Sequence, residues 1–234
     1  SIWYRENKGF INFSMLVLSC IVLTSVSFIL INYFSFLLPL ETKNWFWIIL
    51  FPLLSMLYYG INSNHENGLS LRKFGWIKPF VISAVWSGVI SIYPTLFHSV
   101  AHNKTVQIEN ATMLLFFKNF LFISVLCIMF DIKDYAMDYN FKLKTFVVSL
   151  GLKKTIERII IPLCIASVSA YILFSTKFLL HPIRIIINIF PYLATIYVAT
   201  RLYRRKNIFY YLVIIDGLML FKACCGILGS SLFS

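Results

Sequence analysis

The chain has 234 residues, of which 59% are hydrophobic, 18% aromatic and only 13% charged, with a formal net charge of +12. A water-soluble domain of this size cannot hide that much apolar surface, so disorder, a disulfide scaffold and a soluble nucleotide-binding enzyme do not fit. A mean hydropathy of +0.81, with several apolar runs long enough to cross a bilayer, points to a protein that faces lipid.

In chain order the apolar runs predict spans at 10–34, 45–61, 79–97, 111–130, 157–176, 180–200 and 207–224. The first run, from Phe10 to Phe36, is too long for the core of a secretory signal and lacks a small-residue cleavage site, so it reads as a span. Polar residues and helix breakers collect between the runs: Leu38 to Asn44 around Pro39, Asn62 to Lys78 with Gly68 and Gly75, and His98 to Asn110. Seven helices of roughly 20 residues use about 140 positions and leave only short loops. The expected fold is therefore an all-α polytopic transmembrane helical bundle of about seven helices, one domain over 1–234.

The basic excess would suit a phosphate backbone, but its distribution argues against nucleic acid. If loops alternate sides, fifteen of the 21 lysines and arginines share the side of Arg5 and Lys8, and five lie on the other. That bias puts the N-terminus and the long loop after the fourth span in the cytoplasm, and the expected location is a bacterial inner membrane. Cys20, Cys127, Cys164, Cys224 and Cys225 all fall inside apolar runs without a CxxC, which suits reduced residues rather than metal ligands or disulfides.

Three of the four aspartates fall in one eight-residue stretch, Asp131-Ile132-Lys133-Asp134-Tyr135-Ala136-Met137-Asp138. Spacings of three and four put them on one helical face, where like charges repel unless a cation joins them. Mg2+ suits such a place, because it takes oxygen ligands from one or two carboxylates while also gripping substrate phosphates. Lys142 and Lys144 follow directly, and Arg72, Lys73 and Lys78 lie in a loop on the same side. Carboxylates, Mg2+ and Lys/Arg around one pocket describe a diphosphate site.

Asp131-x-x-Asp134-x-x-x-Asp138, followed by Phe141-Lys142-Leu143-Lys144-Thr145 and Val148-Ser149-Leu150-Gly151, resembles the second aspartate-rich motif of the UbiA superfamily of intramembrane prenyltransferases. The stretch from Tyr58-Tyr59-Gly60 to Leu71-Arg72-Lys73-Phe74-Gly75-Trp76-Ile77-Lys78 also looks like that family's tyrosine-to-lysine loop, more loosely. The resemblance implies Mg-dependent transfer of an isoprenoid group from a prenyl diphosphate to an aromatic or other lipophilic acceptor. In that reading Asp131, Asp134 and Asp138 hold the metal, and Arg72, Lys73, Lys78, Lys142 and Lys144 hold the diphosphate. Tyr135, Tyr139 or Phe141 would shelter the carbocation.

The family has nine helices and a first aspartate motif between its second and third. This chain starts at Ser1 and carries no such motif, so the resemblance implies that it corresponds to helices three to nine, with an open cavity facing Asp131. The alternative from another class is a non-catalytic membrane protein, either a lipid-binding relative or a small transporter subunit. No GxxxxGK[ST], GxGxxG, HExxH or GxSxG occurs. Tyr135 and Ala136 after Asp134 do not match the acidic motif of CDP-alcohol phosphotransfer. Asp216, inside the last span, requires a partner or a proton, with Lys118 of the fourth span a candidate partner. His98 and His102 are spaced for a metal but lack acidic or cysteine neighbours other than Glu109.

Overall fold

The computed structural model describes residues 7–37, 42–59, 74–101, 110–140, 142–204 and 206–232. They form α1 (Lys8–Leu37), α2 (Thr42–Tyr59), α3 (Lys78–Ala101), α4 (Asn110–Asn140), the short α5 (Phe146–Leu150), α6 (Leu152–Lys177) and α7 (Pro182–Arg201). The last, α8, starts as Ile208–Tyr210, widens through a π-turn at Tyr211–Ile215 and continues as Asp216–Leu232. A second π-turn, Ile156–Ile160, interrupts α6. Six of these helices are long and apolar enough to cross a membrane, α2 is a shorter apolar helix, and no strand occurs among the described residues. The fold is an all-α polytopic bundle, as lipid requires of a backbone that must bond to itself.

Two boundaries differ from the apolar runs for physical reasons. The predicted fourth span stops at residue 130, where hydropathy falls, yet α4 carries on to Asn140 because no Gly or Pro interrupts it. It ends where Lys142 turns into the left-handed region, at φ 55°. The predicted last span stops at 224, before Gly226 and Gly229, yet α8 continues through both. A Cβ on Gly229 would lie 2.8 Å from Asn188 Nδ2 and 3.1 Å from Arg184 Cγ of α7. Here glycine is the small residue that lets two membrane helices approach, rather than a terminator.

With 44% of its most apolar window buried, against 0% for α1, α4 is the central helix of the bundle. Its Phe122, Val125, Leu126, Ile128, Met129 and Ile132 pack against Ile156, Ile160 and Cys164 of α6, Tyr192 and Val198 of α7, and Tyr211, Ile215 and Leu218 of α8. A smaller cluster, Phe51 with Ile92 and Leu96, joins α2 to α3. There the Phe51 ring occupies the space that any side chain at position 88 would need, so Gly88 is what lets α2 lie on α3.

Two lysines within the bundle are held by named partners. Lys222 of α8 reaches Asn119 of α4, and the Asn119 amide donates to Ser91 Oγ of α3 at 3.0 Å. Lys118 stands 4.2 Å from the centre of the Phe174 ring and 5.2 Å from that of Tyr171. Lys118, a candidate partner for Asp216, is instead held by these rings of α6 through cation–π contact. The five cysteines are free thiols.

Candidate functional site

The turn ahead of α3 is seated by a glycine. A Cβ on Gly75 would lie 2.7 Å from Lys144 C and from Thr145 N, so the backbone at 75 rests directly on the backbone leaving α4. On the far side of that contact Thr145, fully buried, caps α5 by accepting from Val148 N–H at 3.4 Å. Phe80 stands edge-on to Phe146, with ring centres 6.0 Å apart. These contacts bind the start of α3 to the end of α4, and they set Lys78 opposite Asp131.

Lys78 Nζ donates to Asp131 Oδ1 at 2.9 Å. Asp131 is 1% exposed, and its second oxygen, Oδ2, is buried without a hydrogen-bond partner among the described residues. An uncompensated carboxylate at this depth would cost several kcal/mol, so the ammonium is what permits it. One turn along α4, Asp134 is more open and lies 3.6 Å from Lys133 Nζ.

A cavity of about 360 Å³ adjoins these groups. Its polar lining is Lys78, Asp131, Lys133, Asp134 and, from α8, Asp216. Apolar lining comes from Ile82 and Trp86 of α3, Leu126 and Phe130 of α4 and Met219 of α8. A second cavity of about 390 Å³ shares Ile82 and Trp86 and reaches Ser55 and Tyr58 of α2. An apolar chamber with convergent polar groups is the usual form of a small-molecule site.

Of the residues singled out in the sequence, Lys78, Asp131 and Asp134 share this cavity. Asp138 is buried one turn further along α4 and is not part of the lining. Lys142 and Lys144 are exposed on the turn beyond α4, also away from the lining. Tyr135 and Tyr139 stack on each other, with centres 6.1 Å apart, rather than facing the cavity. Arg72, Lys73, Phe141 and His102 lie outside the described residues. Sequence reasoning missed Trp86 and Phe130 as cavity walls, and it did not place Asp216 there. A signal for Asp216 existed, since a carboxylate inside an apolar span marks a functional site by default.

Among the described residues no three His, Cys, Asp or Glu side chains could hold a metal ion by themselves. Mg2+ does not need three, because one or two carboxylates serve when phosphate oxygens and waters complete the octahedron. The unsatisfied Oδ2 of Asp131 and the open Asp134, both on one cavity, fit that requirement. No protein-family model, curated protein or solved structure matches this chain.

Proposed function

We propose that the chain acts as a UbiA-type intramembrane prenyltransferase, moving an isoprenoid group from an allylic diphosphate to an aromatic or other lipophilic acceptor. The observation that carries this reading is the Lys78–Asp131 pair, with Asp134, on the wall of an apolar cavity at the end of α4. The aspartate spacing supports the resemblance to the family, and the cavity offers what the chemistry needs, a charged end and an apolar wall.

Asp131 and Asp134 would hold Mg2+, which when bound neutralises charge on a departing diphosphate and orients it. Lys78 is placed to exchange Asp131 for a phosphate oxygen, so its ammonium meets the charge that develops as the C–O bond breaks. Trp86 and Phe130 line the same cavity, where an aromatic ring would hold an allylic cation by cation–π contact. The apolar walls of the two adjoining cavities suit an isoprenoid tail and a lipophilic acceptor. In this reading the chemistry runs at the cytoplasmic face, the side that the distribution of lysines and arginines favours.

The test is thermal stabilisation of the purified protein in detergent. Mg2+ and a prenyl diphosphate should together raise Tm by several degrees, as expected for a ligand well above its Kd, and neither should do so alone. Asp134→Asn should lose the effect. Equal stabilisation of the variant would point instead to a lipid-binding protein without a metal site.

A further inference from the structure

We propose that Lys118, Arg184 and Lys222 form a binding site for a phosphate group, in the half of the bundle that faces away from the Asp131 cavity. Lys118 stands about 20 Å along α4 from Asp131, given the rise of an α-helix. The site does not depend on the prenyl-transfer reading.

Three helices deliver these cations to one place. Lys222 Nζ of α8 bonds to Asn119, the residue next to Lys118 on α4. The two ammoniums flank one aromatic stack: Lys118 lies 5.2 Å from the centre of the Tyr171 ring and Lys222 5.4 Å from that of Tyr192, and these rings stack with centres 5.5 Å apart. Arg184 of α7 shares a helical face with Asn188 and Tyr192, at successive spacings of four. Its Cγ would be 3.1 Å from a Cβ on Gly229, which lies on the same face of α8 as Lys222. Lys118 and Lys222 are within electrostatic reach of each other, and Arg184 is within reach of Lys118.

What holds each lysine leaves its charge in place. The partners of Lys118 are rings, and those of Lys222 are two rings and an amide oxygen, all of them electrically neutral. No ion pair among the described residues includes Lys118, Arg184 or Lys222. Like charges gathered out of bulk water repel one another and call for a counter-charge. Donors also remain, since an ammonium carries three N–H groups and a guanidinium five. Among the described residues only Lys222 engages one of them, to Asn119. All three side chains are partly buried rather than sealed, so each keeps surface for a ligand.

Charged residues inside spans mark ligand or ion routes. Phosphate suits this set better than a halide or a carboxylate. It brings more negative charge and more acceptor oxygens to three cations, and a guanidinium fork bonds two of those oxygens at once. The group can arrive free in water or as a lipid headgroup, because Arg184 sits in the first turn of α7, at the end of that span. The helices around it present apolar surface, so a lipid-borne phosphate should bind the more tightly.

The experiment is isothermal titration calorimetry on the full chain, delipidated in a non-ionic detergent. The probes are inorganic phosphate, dihexanoyl phosphatidic acid and the neutral dihexanoyl glycerol. Phosphatidic acid should bind saturably and at least about tenfold more tightly than the neutral lipid, and Lys118→Met and Arg184→Gln should each weaken it by about tenfold or more. Asn119→Asp keeps all three cations but sets a carboxylate against Lys222, so it should weaken phosphate binding by a similar factor, which a role in packing alone would not produce. Lys153→Met, exposed at the other end of the bundle, should change nothing. Arg184→Gln, in the first turn of α7, carries the test if the α4 variants do not fold. Inorganic phosphate binding as tightly as the lipid would support the site and assign it to a soluble ion, whereas binding of the lipid alone would support it and assign it to a headgroup. The proposal is overturned by no preference of either phosphate over the neutral lipid, by equal losses in Lys153→Met and Arg184→Gln, or by undiminished binding in a folded Asn119→Asp protein.

Discussion

Lys222 donates a hydrogen bond to Asn119 Oδ1 at 2.9 Å while its ammonium lies 3.9 Å from the centre of the Phe122 ring. A cation inside a span is thus held by an amide and a ring face, without a carboxylate. Asn119→Leu should lower stability by about 1–2 kcal/mol, because the ammonium loses its oxygen and Ser91 loses its donor. Asn119→Asp keeps an oxygen for Lys222 but removes the amide that donates to Ser91, so it should cost less than Asn119→Leu. Equal losses of Tm in the two variants would count against the Lys222 contact.

The Lys78–Asp131 pair predicts an asymmetry between single and double variants. Lys78→Met strands a buried carboxylate and should cost on the order of 3 kcal/mol, whereas Lys78→Met with Asp131→Leu should recover most of that. Thermal unfolding of the three proteins in one detergent measures the difference. Both altered proteins should fail to respond to Mg2+ with prenyl diphosphate, so recovery of stability without recovery of ligand response is the expected pattern.

Gly75→Ala should act at a distance. Its methyl would press on the backbone of Lys144 and Thr145, which cannot swing aside as a side chain could. The cost is expected at about 1–3 kcal/mol, together with weaker diphosphate binding as the start of α3 lifts Lys78 from the end of α4. A variant with unchanged ligand response would show that this seat does not position Lys78.

At the α2–α3 crossing, Gly88→Ala should destabilise by about 1–3 kcal/mol because the Phe51 ring fills the space. Adding Phe51→Leu should return part of the loss, a non-additivity expected only for residues in contact. Strictly additive effects in thermal unfolding would argue against the crossing.

The helical spans were readable because lipid leaves so few alternatives: a run of twenty apolar residues has one stable backbone state in a bilayer. The face shared by Asp131 and Asp134 was also readable, since spacing within one helix is a local property. What the residues could not announce is any relation across helices. Nothing near position 216 says that α8 brings its aspartate to a chamber shared with Asp131, and nothing near Lys118 says that the rings of Tyr171 and Phe174 will receive it. Gly226 and Gly229 misled for the same reason, because a glycine that ends a helix and one that admits a neighbouring helix look alike until the neighbour is present.

The π-turn at Tyr211–Ile215 lies upstream of both Asp216 and Lys222. Each residue of an α-helix advances about 100° around the axis, so any change in the number of residues within that turn would rotate both side chains together. The carboxylate at the chamber and the ammonium against the Phe122 ring are therefore mechanically geared through one shaft. A deletion that turned Asp216 away from the cavity would also pull Lys222 off its ring, and insertions or deletions there should be tolerated far less than substitutions of the lipid-facing residues on the same helix.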